Sequence, residues 1–278
     1  MKLSAWASVS DIVPTNKTTI ERIIRLLLGD KHMFRDYTAD ETFSALKKAG
    51  VDGIELLVPR LTTDENILDA KKIFDRNTIP VLSIHQSLTS FLSIDIFEIE
   101  KLCKTASFFK AHVIVLHSGA LDRKLFDGKF VELLKALEEK YSLKFGIENM
   151  PKTPYAFYKR DTFDGKRFSS LLENVDLSIT FDTTHLGQVG GDILSFYEKN
   201  KKRIVNIHFS DYKKHWLNYR LLFQNYTHLP LMKGELPVQK FLKLLKNTRY
   251  SGLITMEIGG TLEEICESAR MIKLELRQ

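Results

Sequence analysis

The chain is poor in cysteine, has no long apolar run, and lacks the glycine-rich loop that cradles phosphates. Each absence removes a class of protein. Only Cys103 and Cys266 occur among the 278 residues, far apart and each inside a helix-period segment. They read as buried thiols of a reducing cytosol rather than a disulfide framework. No apolar stretch approaches the roughly 18 residues that a membrane span needs. The opening Met1–Trp6 is too short in apolar residues, with Asp11 following early, to read as a secretory signal. A cytoplasmic location with no membrane partner is the expectation. No Pro/Ser/Gly-rich tract, low-complexity run or break in composition marks a linker, so residues 1–278 are read as one domain. No glycine-rich loop follows the first candidate strand, which weakens a doubly wound dinucleotide-binding sheet.

What is present is ordinary globular material. Hydrophobic residues make up 44% and charged residues 27%, enough for one sizeable core. The 41 basic and 35 acidic residues leave a net charge of +6. That mild excess suits an anionic ligand and equally suits an enzyme without one.

Apolar runs alternate with helix-period segments from end to end. Candidate strands are Leu3–Ala7, Gly53–Val58, Pro80–His85, Val113–His117, Lys144–Glu148, Leu177–Asp182, Arg203–His208 and Leu253–Glu257. Between them, Ile96, Ile99, Leu102, Ala106 and Phe109 step by threes and fours, as do Val238, Phe241, Leu242 and Leu245. Gly50 closes a helix over Glu41–Ala49, and an additional helix is expected over Thr18–Leu28. Eight strands alternating with helices at this length predict a (β/α)8 TIM barrel. Two connections are long, Met150–Ser170 and Phe209–Leu236. The second carries Tyr212, Trp216, Tyr219, Phe223 and Tyr226 and reads as a cover over a site.

The stretch LSITFDTTH, Leu177–His185, gives the chemistry its anchor. A buried strand delivers Asp182 and then His185 at its C-terminal end, where an oxygen and a nitrogen can meet one ion. The alternative is an Asp that caps the next helix beside a surface His. The pattern recurs at the other strand ends: Glu55, His85, His117, Glu148, His208 followed by Asp211, and Glu257. All of these face the mouth where barrels of this kind keep their chemistry. His228, in the second long connection, also reaches it; His32, His112 and His215 do not. Imidazoles with carboxylates and no thiolates suit zinc, manganese or a similar ion, and suit magnesium or calcium less well.

Seven stretches carry a family resemblance: SIHQS, VLHSG, GIENM, FDTTHLG, NIHFSD, HLPLMKGEL and TMEI. In this order and at strand ends they resemble the xylose-isomerase-like barrel superfamily, which holds sugar isomerases and epimerases and the type IV apurinic/apyrimidinic endonucleases. The isomerase and epimerase branch implies one divalent metal on Glu148, Asp182, His208 and Glu257. It also implies proton transfer by Glu148 and Glu257, and a substrate hydroxyl on His185. Where that branch often has an arginine, six residues past the strand-seven histidine, this chain has Lys214. The endonuclease branch implies three zincs and adds His85, His117, His185 and His228. Its Asp-x-His finds Tyr226 at the Asp position, so the third metal loses a carboxylate; a pair bridged by Glu148 stays open, with His85 and His117 on one side.

The first expectation is therefore a divalent-metal sugar or sugar-phosphate isomerase or epimerase. Glu55 and Lys214 are placed with the substrate, and Trp6, Phe91, Tyr155 and Trp216 as pocket walls. The second is a zinc-dependent phosphodiesterase acting on DNA with abasic sites, for which Arg60, Lys152, Lys159, Arg160, Lys213, Lys214 and Arg220 could grip phosphates. The third is a non-catalytic metal- or ligand-binding barrel. Apolar residues on outer helices leave a homo-oligomer open.

Overall fold

The computed structural model describes residues 1–13, 37–87, 96–117, 128–150, 168, 176–214 and 226–277. Within them, eight parallel strands close into a barrel in chain order, with β8 returning to β1. The strands are β1 Lys2–Ser8, β2 Gly53–Val58, β3 Val81–Gln86, β4 Val113–His117, β5 Lys144–Glu148, β6 Ser178–Asp182, β7 Ile204–His208 and β8 Leu253–Met256. The expected strands agree to within a residue or so at each end. The described helices are α1 Val9–Ile12, α2 Ala39–Lys48, α3 Asp64–Arg76, α4 Ile96–Phe109, α5 Gly128–Tyr141, α6 Thr183–Gln188, α7 Ile193–Asn200, α8 Val238–Asn247 and α9 Leu262–Arg277.

Sequence explains these elements locally. Runs such as VIVLH in β4 are buried throughout, because a barrel strand has side chains on one face and helices on the other. α2 and α3 begin with capping boxes, Thr38 with Glu41 and Thr63 with Asn66. α2 ends at Gly50, whose φ of +93° only glycine adopts readily. α8 buries Val238, Phe241, Leu242 and Leu245, the stripe its spacing predicts. Outside the strands a layer of rings seals the helices down: Phe43 stacks on Phe74 at 5.3 Å, and Phe181, Tyr197 and Phe209 surround Phe241. Each such ring withdraws enough apolar surface to contribute about 1.5–3 kcal/mol.

The expected helix over Thr18–Leu28 lies outside the described residues, as do Phe91, Tyr155, Trp216, Lys152, Lys159, Arg160 and Arg220. Of the second long connection, the two ends are described, and they form structure of their own. Asp211 and Leu229 make an antiparallel bridge, and Lys213 N–H donates to the Tyr226 carbonyl at 2.9 Å. The Asp211 carboxylate accepts N–H bonds from Tyr212, Gly234 and Leu236 at 2.8–3.0 Å. Asp211 is thus spent on pinning this connection, not on the mouth. Tyr212, expected as part of a cover, is buried against Gly187 of α6.

Gly146 sets the spacing of β5 and β6. A Cβ there would meet Thr180 Oγ1 far inside contact distance. Gly146→Ala is expected to lower stability by about 1–3 kcal/mol through overpacking. Urea denaturation checks it, and an unchanged midpoint contradicts this account of the barrel interior.

Candidate metal centre

Strand alternation puts residues i and i+2 on one face. Ser83, Gly146, Thr180, Asn206 and Thr255 are buried inside the barrel, and the residues two further on are His85, Glu148, Asp182, His208 and Glu257. These form the next layer, at the C-terminal mouth. Glu148 is its hub. Its Oε2 lies 3.6 Å from His85 Nε2 and 3.5 Å from His117 Nε2. Its Oε1 lies 3.1 Å from His185 Nδ1 and 3.4 Å from His208 Nδ1. Glu257 Oε2 reaches His208 Nδ1 at 2.8 Å, and Asp182 Oδ2 is 3.8 Å from the same nitrogen.

Two groups of donor atoms converge closely enough to share an ion, each within 4.8 Å of the others: His85, Glu148, His208 and Glu257; and Asp182, His185 and His228. The resemblance implied Glu148, Asp182, His208 and Glu257 as one set. The geometry brings His85 into that set and places Asp182 nearer His185 and His228. His117 lies beside Glu148 but joins neither group, so the expected division into a His85–His117 side and a Glu257 side is not what the donor atoms form.

Asp182 caps the next helix as the alternative reading has it, but His185 beside it is buried, not at the surface. Asp182 Oδ1 accepts the His185 N–H at 2.6 Å and caps α6, while its Oδ2 is buried with no hydrogen-bond partner. Asn149 fixes the two strand ends, donating to the Asp182 carbonyl at 2.9 Å and accepting its N–H at 2.8 Å. The Asn149 carbonyl holds His185 Nδ1 at 3.0 Å. Thr183 and Thr184, between Asp182 and His185, bind the exit of β7. Thr183 Oγ1 donates to the Ser210 carbonyl at 2.9 Å, and Thr184 Oγ1 meets Ser210 Oγ at 2.8 Å. Ser210 Oγ in turn reaches His228 Nδ1 at 3.3 Å. His228 sits at a φ of +50°, a strained conformation for a residue with a side chain. Sequence reasoning missed Asn149, Thr183, Thr184 and Ser210 as supports; the run FDTTH held the signal, since two hydroxyls flank the buried turn.

Electrostatics follow from dense burial. Burial disfavours charge on Glu148, but His208, His185 and His85 outweigh it and hold the carboxyl well below its usual range. Glu257 is also lowered, by His228 and His208 against burial. Asp182 is raised, because burial prevails there. Burial works against a charged His185, yet Asp182 and Glu148 bring it up to about 9. Burial dominates at His117 and takes it down to about 4, a neutral ring able to act as ligand.

Other expected residues fall elsewhere. Glu55 does not reach substrate space: it has no exposed surface and lies one layer beneath the mouth, with its oxygens turned to Ser83, Asn206, Thr255 and His208. Trp6, on β1 opposite Glu55, is half-buried. Lys214, Lys213 and Arg60 are exposed.

The residues fit a divalent ion. His85 Nε2, Glu148 Oε2, Asp182 Oδ2, His208 Nδ1 and Glu257 Oε2 are all buried and close together, and none has a partner aligned for a hydrogen bond, although His208 Nδ1 and Glu257 Oε2 approach to 2.8 Å. Such groups are costly when unmet, and an ion would satisfy them together.

A closed eight-strand barrel with imidazoles and carboxylates gathered at its C-terminal mouth defines the class of TIM-barrel proteins. Residues 43–274 match the model of the xylose isomerase-like TIM barrel, and the chain belongs to that family. Its fold is that of 3-keto-D-glucoside 4-epimerase from E. coli, at 13% identity, 99% coverage of each chain and a TM-score of 0.66. A D-psicose 3-epimerase with D-tagatose from Clostridium cellulolyticum H10 aligns at 12% identity over 100% of this chain and 98% of that one, TM-score 0.62. A xylose isomerase-like TIM barrel protein from Mycobacterium smegmatis, in complex with magnesium, aligns at 14% identity over 90% and 94%, TM-score 0.57. No described helix is long and apolar enough to cross a membrane.

If the unmet donors hold an ion, adding zinc or manganese to chelator-treated protein stabilises it. At a hundredfold excess over Kd the gain is about 2.7 kcal/mol, or about 5–10 °C in Tm. No shift with any divalent ion contradicts the assignment.

Proposed function

We propose that this protein is a divalent-metal-dependent isomerase or epimerase acting on a sugar or sugar phosphate. The observation that carries the reading is the pair Glu148 and Glu257, which approach His208 Nδ1 at 3.4 and 2.8 Å within one buried cluster. Two carboxylates around one substrate space can exchange a proton at the carbon next to a carbonyl. The sugar epimerases among the structural neighbours support the substrate class.

His85, Glu148, His208 and Glu257, with Asp182 alongside, would hold the ion; imidazole with carboxylate favours zinc or manganese. When bound, it polarises the substrate oxygens and makes the adjacent C–H more acidic. The chain supplies the proton movements. Both glutamates are kept ionised by neighbouring imidazoles, so each is in the form that accepts a proton. Only 1% of the Glu148 side chain is exposed against 19% for Glu257, so Glu257 is the one that exchanges its proton with water. One carboxylate takes the substrate proton; the other must first pick up a proton from water, and it returns that proton to the opposite face of the carbon. His185, beside both Glu148 and Asp182, is placed to donate to a substrate hydroxyl. Trp6 and Lys214 are assigned to substrate contact on the family resemblance.

A second reading, zinc-dependent cleavage of DNA at abasic sites, is favoured by His85 and His117, both within 3.6 Å of Glu148 Oε2. That arrangement can hold a second ion. A third would lack the carboxylate that Tyr226 replaces.

Incubation with D-tagatose or related ketoses in deuterated water tests the first reading. The chain is expected to incorporate deuterium next to the carbonyl, and Glu148→Gln or Glu257→Gln to reduce turnover about 10²–10⁴-fold with the fold intact. Retained turnover in both variants removes the proton-transfer role. Chelator-sensitive nicking of an abasic duplex, with no exchange into any sugar, selects the second reading.

A further inference from the structure

The layer beneath the mouth is polar, where a barrel interior is usually filled by Val, Ile and Leu. Ser4, Glu55, Ser83, Asn206 and Thr255 come from β1, β2, β3, β7 and β8, and all have no exposed surface. Glu55 is the acceptor they share. Its Oε2 takes hydrogen bonds from Ser83 Oγ at 2.6 Å, Asn206 Nδ2 at 2.8 Å and Thr255 Oγ1 at 3.3 Å. Thr255 Oγ1 is itself held by Ser4 Oγ at 2.7 Å and lies 3.0 Å from Asn206 Oδ1. Donors from three strands therefore fix the carboxylate by one oxygen. The other, Oε1, lies 2.9 Å from His208 Nε2, near it but not aligned for a hydrogen bond. A carboxylate this deep costs several kcal/mol unless it is met by hydrogen bonds and an opposite dipole or charge.

We infer that Glu55 is a positioning residue: it holds the His208 ring with the Nε2 proton toward the barrel floor, so that Nδ1 is the nitrogen offered to an ion at the mouth. The inference rests on the metal-centre reading above. An imidazole that ligates an ion through one nitrogen keeps its proton on the other, so with an ion at the mouth a carboxylate at Nε2 favours ligation through Nδ1. That nitrogen is the one facing Glu257, Glu148 and Asp182 at 2.8, 3.4 and 3.8 Å. A carboxylate behind a ligating histidine also makes the ring a better donor. Ring packing helps hold the orientation, since His208 stacks on His85 at 5.4 Å.

The structure dictates what Glu55→Gln does. The two short donors on Oε2, Ser83 Oγ and Asn206 Nδ2, favour an acceptor there, so the Gln carbonyl oxygen takes that place. Its NH2 then occupies the Oε1 position and donates to His208 Nε2. The ring proton moves to Nδ1, on the face meant for the ion.

Zinc affinity, by competition with a chromophoric chelator, is measured for the wild type, Glu55→Gln and Thr255→Val. The long-range proton–nitrogen spectrum of the histidine rings is recorded alongside, with His208 assigned by the loss of its signals in His208→Gln. The zinc-loaded wild type is expected to carry its His208 proton on Nε2. Glu55→Gln is expected to bind zinc about 10–100-fold more weakly and, metal-free, to carry the proton on Nδ1. Thr255→Val, which leaves Oε1 in place, should bind zinc within a few-fold of wild type. Equal zinc affinity in wild type and Glu55→Gln overturns the inference and leaves the metal centre standing. A wild-type His208 that is protonated on Nδ1 with zinc bound overturns it even if Glu55→Gln does not fold. A wild type that takes up no zinc removes the metal reading, and the inference with it.

Discussion

Everything at the barrel mouth depends on one carboxylate, Glu148, buried among imidazoles. It touches His85, His117, His185 and His208 at 3.1–3.6 Å. Desolvation alone would make it a neutral acid. The surrounding rings hold it ionised instead; burial works against charge on His185 and His208, yet Asp182 with Glu148 raises the first and Glu55 with Glu148 raises the second. So much charge gathered at near-zero exposure is poorly explained by stability, since apolar side chains of similar volume would often serve as well or better. The unmet oxygen and nitrogen atoms of the cluster are what the proposed ion would satisfy.

The barrel supports that cluster by giving individual residues two tasks. Asp182 caps α6 with one oxygen and presents the other to the site. Asn149 ties the ends of β5 and β6 while its carbonyl orients His185. Thr183 and Thr184 secure the β7 exit, and through Ser210 they reach His228. The polar floor beneath, centred on Glu55, does the same for His208. Rigid support of this kind is what a proton-transfer site needs, because small misplacements of reacting groups are costly.

The fold was legible in the sequence because barrel strands are short, buried on both faces and bounded by turn residues. Runs such as VIVLH and KFGIE are read directly as strands, and the amphipathic stripe of Val238–Leu245 as a helix. Strand-end chemistry was legible for the same reason: a residue at the C-terminal end of such a strand must face the mouth. Two things were not. Depth along a strand is hidden, so Glu55, third in β2, was expected at the mouth although the register pairs it with Ser83, one layer below His85. Convergence is hidden too. Which ligands share an ion depends on side-chain reach across the barrel, and that brings His85 to Glu148, His208 and Glu257 and sets Asp182 with His185 and His228.

The central claim is that the mouth cluster exists to hold a divalent ion with Glu148 as its hub. Elemental analysis of protein purified without chelator or nickel tests it most directly, on wild type and Glu148→Ala side by side. The account predicts at least one zinc or manganese per wild-type chain and a large loss of that metal in the folded variant. A wild type without metal, or a variant that keeps its full complement, would contradict it.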